Sequence, residues 1–228
     1  MQYCLHPDGT NGPLTPLFDC PEFEQRLLRF DGASAERRTN GEDEVIYVLR
    51  GSGEAAVGGE PVTLEEGTAV YVAGGSSWSV NDADGLEVLS VLVRDPLPSE
   101  APHAVLHGGA RAGATAGRQF TLLATPETGC PSVTQFVGYI PPGRAPDHYH
   151  LYDEVVYVLE GDGALHIGGD DATLRPGSCV HLPARLVHCL ENVGPGEMRV
   201  LGVFRPAGSP AEAYYPDGTL ATVPSGAD

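Results

Sequence analysis

The chain has 228 residues, 41% of them apolar, and a formal net charge of −18; its 13 basic residues are all arginine. Without lysine there is no amine for Schiff-base chemistry and none for a phosphate-binding loop. The acidic balance opposes nucleic acid and anionic membrane surfaces, both of which select for positive charge. Thirty glycines and twenty prolines without low complexity indicate a turn-rich β protein. In chain order, residues 1–16 are polar and proline-rich with no leader pattern, so the expected address is cytoplasmic. Residues Pro21 to Leu28 read as a short helix with Asp19 as its cap. No apolar run approaches the roughly 18 residues that span a bilayer. The cysteines Cys4, Cys20, Cys130, Cys179 and Cys189 are an odd set without paired knuckle spacing, which indicates free thiols.

An internal repeat sets the domain count. Residues Glu44 to Val93 align without a gap on Glu154 to Val203, at an offset of 110, with 15 of 50 positions identical. Glu44-Val45-Ile46-Tyr47-Val48-Leu49 matches Glu154-Val155-Val156-Tyr157-Val158-Leu159, and five glycines, including the Gly58-Gly59 and Gly168-Gly169 pairs, coincide. Two copies are too few for a solenoid, so the chain reads as two domains, residues 1–104 and 105–228. In each, β-branched and aromatic runs alternate with glycine-rich turns about every 8–12 residues, the pattern of an antiparallel barrel or sandwich. Val155 to Leu159 is apolar throughout, which predicts a strand covered on both faces. The Pro-, Gly- and Ala-rich stretch from Asp95 to Arg118 reads as the connection, with His103 and His107 on exposed loop.

The second repeat carries the chemistry. It contains Gly143, His148, His150, Glu154 and Gly161, followed by Gly177, Pro183, His188 and Asn192. Side chains alternate along a strand, so His148 and His150 share one face. A carboxylate four residues later and a third histidine on a distant strand can converge with them inside a small barrel. Three imidazoles and a carboxylate suit a divalent transition metal and leave positions open for substrate. The two runs resemble both motifs of the cupin superfamily, G-x4/5-H-x-H-x3/4-E-x6-G and G-x5-P-x-G-x2-H-x3-N, with Arg185 where the family prefers glycine. The resemblance implies an all-β chain of two tandem antiparallel β-barrel or jelly-roll (double-stranded β-helix) domains, a bicupin. His148, His150, Glu154 and His188 would then be metal ligands.

At the same offset the first repeat has Arg38, Asn40, Glu44 and Trp78 in place of the ligands. Arginine and tryptophan offer no lone pair to a metal. The first domain is therefore expected to have lost the site, with Arg38 approaching Glu44 and its guanidinium supplying the missing positive charge. Around the second site, Asn192 is expected to support a histidine, Tyr149 to face outward, His181 to be a packed histidine and not a fifth ligand, and Arg144 or Arg185 to clamp an anionic substrate or lie on the surface. Cys179 and Cys189 are expected near one another across strands.

The resemblance implies one divalent transition metal per chain, with Fe or Mn favoured over Ni, Zn or Cu. It implies a small-molecule substrate and a homodimer, with no nucleic acid or membrane partner. The leading expectation is a dioxygenase-type cupin acting on an oxygen-rich organic substrate. A non-oxidative isomerase, hydrolase or decarboxylase is the alternative, and a non-enzymatic binding protein is the third class. No residue is singled out as catalytic beyond the ligand set.

Overall fold

The computed structural model describes residues 2–7 and 12–221. Regular structure there is β-strand apart from two single 3-10 turns, Thr115–Gly117 and Pro126–Thr128. The chain forms two compact units. The first comprises Pro7–Gly108 and Leu123–Val133, and the second Met1–His6, Gly109–Leu122 and Thr134–Asp228. Set beside the ranges 1–104 and 105–228, the N-terminal residues belong with the second unit, and residues 105–108 and Leu123–Val133 with the first. Among the described residues no helix is long and apolar enough to cross a membrane.

The first unit is one antiparallel sheet curled into a barrel. Its two long strands, Asp43–Val57 and Ser77–Val93, pair from Asp43 opposite Val93 to Val57 opposite Trp78, with bulges at three places. Bulges bend the strands and increase their twist, which lets one strand pair serve both sides of the barrel. Inside lie Ile46, Val48, Leu64, Val72, Trp78 and Val88.

The segment expected to be helical is instead the strand Phe23–Phe30, paired from Phe23 opposite Val93 to Phe30 opposite Leu86. Arg26, Leu28 and Phe30 reach the barrel interior, where Phe30 meets Trp78 edge-on at 5.8 Å. Phe23, Gln25 and Leu27 are buried on the opposite face. This is a period of two. The helical preference of Glu, Gln, Leu and Arg is worth only tenths of a kcal/mol per residue, and strand partners on both sides override it. His103 is likewise in a strand, His103–Leu106, opposite Val72, and half-buried; His107 is exposed.

The second unit has a seven-stranded sheet and a three-stranded sheet that pack face to face. Val156, Val158, Val180 and Leu182 of the larger sheet meet Leu165 and Ile167 of the smaller in one core. Of the apolar run Val155 to Leu159, expected to be covered on both faces, Val155 to Val158 are buried and Leu159 is half-buried. The matched glycine pairs are hairpin turns. Gly58 and Gly59 have φ of 58° and 88°, Gly168 and Gly169 58° and 92°. Two consecutive positive φ values are what a two-residue hairpin of right-twisted strands requires, and glycine takes them without strain.

Candidate metal centre

His148 lies just ahead of the strand Asp153–Glu160, bridged opposite His188 at the start of the strand His188–Asn192. His150 follows two residues on. The three ring centroids are 4.8 to 5.3 Å apart, and one nitrogen from each ring lies within 4.8 Å of the other two. All three side chains are buried. Each Nδ1 is bonded to a backbone carbonyl: His148 to Pro146 at 2.9 Å, His150 to Glu212 at 2.7 Å and His188 to Leu186 at 2.8 Å. A carbonyl only accepts, so each Nδ1 carries the proton and each neutral ring turns a lone pair on Nε2 toward the others.

Electrostatics keep the rings neutral. Burial, reinforced by the neighbouring imidazole of His148, drives His150 down to about 3. Burial and both partner rings hold His188 well below the ordinary histidine range, and burial lowers His148 in the same direction. Glu154 lines the same cavity, although its oxygens lie outside the tight three-nitrogen group. It is 5% exposed, and burial pushes its carboxyl up to about 8 against the opposing pull of the Arg118 guanidinium. Tyr152 stacks on His150 at 4.6 Å and is backed by Phe204 at 3.8 Å, which fixes the plane of that ring.

Two observations fit this set to a metal. The Nε2 of His188 is buried with no hydrogen-bond partner, an uncompensated polar atom unless something accepts its lone pair. Gly202, opposite Val156 and Phe136 in the ladders, lets the Phe136 ring and the Glu154 carboxyl pack against its backbone; a Cβ there would stand 2.8 Å from Glu154 Oε1 and overlap the Phe136 ring. Three neutral imidazoles and a carboxylate are a donor set suited to Fe, Mn or Zn.

The first barrel shows the same framework filled by its own side chains. Arg38 does not approach Glu44; it is exposed and paired with Glu36 at 2.8 Å. The guanidinium that does so is Arg26, at 3.0 Å. Glu44, 2% exposed, also accepts from Trp78 Nε1 at 2.8 Å and from the Ser90 hydroxyl.

Strand register explains the difference. Arg37, and not Arg38, is opposite Trp78, as His148 is opposite His188. The gapless offset therefore slips by one residue in the loop before Glu44, and one residue moves a side chain to the other face. Arg37 lies over Trp78 at 5.6 Å. In the last strand the slip is two residues: Val48 pairs with Val88 and Val158 with Val200, positions 112 apart. Ser90 thus corresponds to Gly202, and Arg26, opposite Ser90, corresponds to Phe136, opposite Gly202. An arginine charge and a serine hydroxyl meet Glu44 in the first barrel where the second has a phenylalanine ring and a glycine beside Glu154.

Tyr149 faces away and stacks on Tyr214 at 5.6 Å. His181 is half-buried and bonded to Asp153 at 2.8 Å, apart from the histidine cluster. Asn192 supports no histidine; its amide donates to the carbonyls of Ile140 and Gly196 and its oxygen accepts from Gly194 N–H, stapling a turn. Arg144 is exposed and paired with Asp147, and Arg185 is exposed. Cys179 pairs in register with Leu5 and Tyr157, whereas Cys189 pairs with His166, so the two thiols are not cross-strand neighbours. The arginine that lines the cavity is Arg118, at the end of the supposed connection. Its only sequence signal was its place directly before the Gln119–Leu122 strand, at a barrel rim.

Comparison with known proteins agrees with this architecture. The cupin domain family matches residues 30–93 and 136–204, together more than half of the chain. Among curated proteins, an uncharacterized protein of Aquifex aeolicus is 32% identical over 79 residues, 34% of this chain and 63% of its own length. Polyketide synthase CurC of Streptomyces cyaneus is 34% identical over 83 residues, 36% of this chain and 54% of its own length. The chain thus spans less than two thirds of the curated relatives it matches. Among solved structures, protein Ylba of E. coli superposes with a TM-score of 0.70 at 17% identity, covering 89% of each chain. Salicylate 1,2-dioxygenase of Pseudoaminobacter salicylatoxidans gives 0.65 at 15%, covering 81% of this chain and 72% of that one. A mutant oxalate decarboxylase of Bacillus subtilis gives 0.65 at 15%, covering 89% and 77%. At such identities the likeness is one of fold. The chain belongs to the cupin domain family, and it carries two cupin domains.

Proposed function

We propose that the second barrel is a metal-dependent small-molecule site of oxygenase type, held by His148, His150, Glu154 and His188. The observation that carries the reading is the convergence of three neutral imidazoles whose Nδ1 positions are all engaged, with the His188 Nε2 left unpartnered. When bound, an Fe or Mn ion would supply Lewis acidity and open positions for an oxygen-rich substrate and dioxygen.

The chain's own groups do the rest. Pro146, Glu212 and Leu186 carbonyls hold the imidazoles in one tautomer. Phe120, Phe136 and Tyr152 make an apolar wall that excludes water from the reacting end of a bound molecule. Burial holds the Glu154 carboxyl up to about 8 despite Arg118, so at neutral pH it carries a proton that a bound metal ion would displace.

The test is an oxygen-electrode screen of Fe(II)-loaded protein against catechols, enols and hydroxy acids. Substrate-dependent dioxygen uptake that vanishes in His188→Ala supports the reading. Turnover that continues under argon, or with Zn(II), contradicts it and supports metal-assisted non-oxidative chemistry.

A further inference from the structure

We infer that Arg118 is the anion anchor of this site and that the ligand it selects is a small apolar or aromatic carboxylate. Arg118 ends a tight loop in the second unit. Ala114 N–H donates to the Arg118 carbonyl at 2.8 Å, and Arg118 N–H donates to the Thr115 carbonyl at 3.3 Å. Between them Ala116 and Gly117 sit at φ of 59° and 72°. An alanine in the left-handed region is a strained choice, and such strain persists where the surrounding structure holds a functional group in place. The loop fixes the backbone of Arg118, and its Nη2 is held by the carbonyl of Leu190, on the strand that carries His188.

The guanidinium then faces the cavity lined by His148, His150, His188 and Glu154, and its charge acts on all four. Among the described residues no carboxylate oxygen comes within ion-pair distance of it. Arg111, Arg144 and Arg199 of the same unit each hold a carboxylate, Glu197, Asp147 and Glu160. The Arg118 charge is offset, among the described residues, only by the Cys189 thiol and by Glu154 in the same cavity, and Glu154 belongs to the proposed ligand set, which leaves the guanidinium facing the cavity for a ligand anion. A carboxylate matches its planar fork of donors. The remaining wall sets the body of the ligand. Phe120, Phe136, Tyr139, Tyr152 and Leu190 are aromatic or aliphatic. Thr115 and Gln119 add polar groups to the same lining, so an oxygen substituent on such an acid is accommodated.

The inference deepens the metal-site reading and rests on it for where the reacting end of the ligand lies. Its test uses benzoate and its uncharged isostere benzamide, titrated calorimetrically into the full chain, as purified and after chelation, with metal content measured in each. Wild type is expected to prefer benzoate by about tenfold or more in both forms. Arg118→Gln, which keeps a donor for the Leu190 carbonyl, is expected to lose that preference through weaker benzoate binding alone; Arg118→Lys, which keeps the charge, retains it. A purely structural arginine would not change the ratio of the two probes. Equal binding of both by wild type, no benzoate binding at about 10 mM, or an unchanged preference in Arg118→Gln overturns the inference. The wild-type comparison stands even if a variant fails to fold. Metal-free preparations that still prefer benzoate through Arg118 keep the anchor while removing the metal reading. Metal-bearing protein in which Arg118→Gln keeps the preference does the reverse.

Discussion

Replacing Arg26 by methionine should destabilise the first barrel strongly, because it removes the charge that compensates buried Glu44. The guanidinium lies 3.0 Å from Glu44, whose side chain is 2% exposed. At an effective dielectric of about 20 that attraction is on the order of 5 kcal/mol. Removing one partner of a buried pair costs about 3–5 kcal/mol, since the remaining charge is left uncompensated. Trp78 and Ser90 would still donate to Glu44, which places the expected loss toward the lower end. The chain has one tryptophan, and it is Trp78, in contact with Glu44. Its fluorescence in a urea titration therefore reports this barrel. For a unit of this size the midpoint should fall by roughly 2 M. Arg38→Met should leave it unchanged, because Arg38 is exposed. Arg26→Met combined with Glu44→Gln should recover most of the loss, since the uncompensated charge is then gone. A midpoint for Arg26→Met within error of wild type, or a loss for Arg38→Met as large, would refute the assignment.

Metal affinity of the second barrel should depend on pH through one group. Glu154 is raised to about 8 and the imidazoles are already neutral, so the cation competes with a single proton. Affinity should rise about tenfold per unit from pH 6 to 8 and level off above that. Chelator competition at several pH values measures it, and a flat profile or a slope of two protons would contradict the ligand set. Gly202→Ala should cost about 1–3 kcal/mol by overpacking and also weaken metal retention, because its Cβ would meet both the Phe136 ring and Glu154. Thermal melts and metal content should therefore fall together. Asn192→Ala should lower thermal stability without altering metal stoichiometry, since its amide staples a turn and touches no histidine.

The barrels and the three histidines were legible in the sequence because each rests on a local rule. Glycine pairs mark hairpin turns, His148 and His150 share a face by alternation, and an unbroken apolar run marks a strand buried on both faces. What escaped depends on partners distant in the chain. Arg26 is drawn into the barrel by Glu44 and Ser90, and its strand looked helical because Glu, Gln, Leu and Arg tolerate both states. The gapless repeat assigned the wrong arginine to the His148 position because loops absorb one or two residues at no cost to the motifs, yet one residue reverses a side chain's direction. The carbonyls that orient the imidazoles have no side-chain signature at all. Arg118 lay in a stretch whose composition spoke only of turns.

The most direct measurement is elemental analysis of tag-free protein purified without chelators, alongside His188→Ala. The account predicts about one Fe or Mn per chain in the wild type and a large loss in the variant. It predicts no second ion in the first barrel, where Arg26, Trp78 and Ser90 already satisfy Glu44. Two metals per chain, none, or one that His188→Ala retains in full would contradict it.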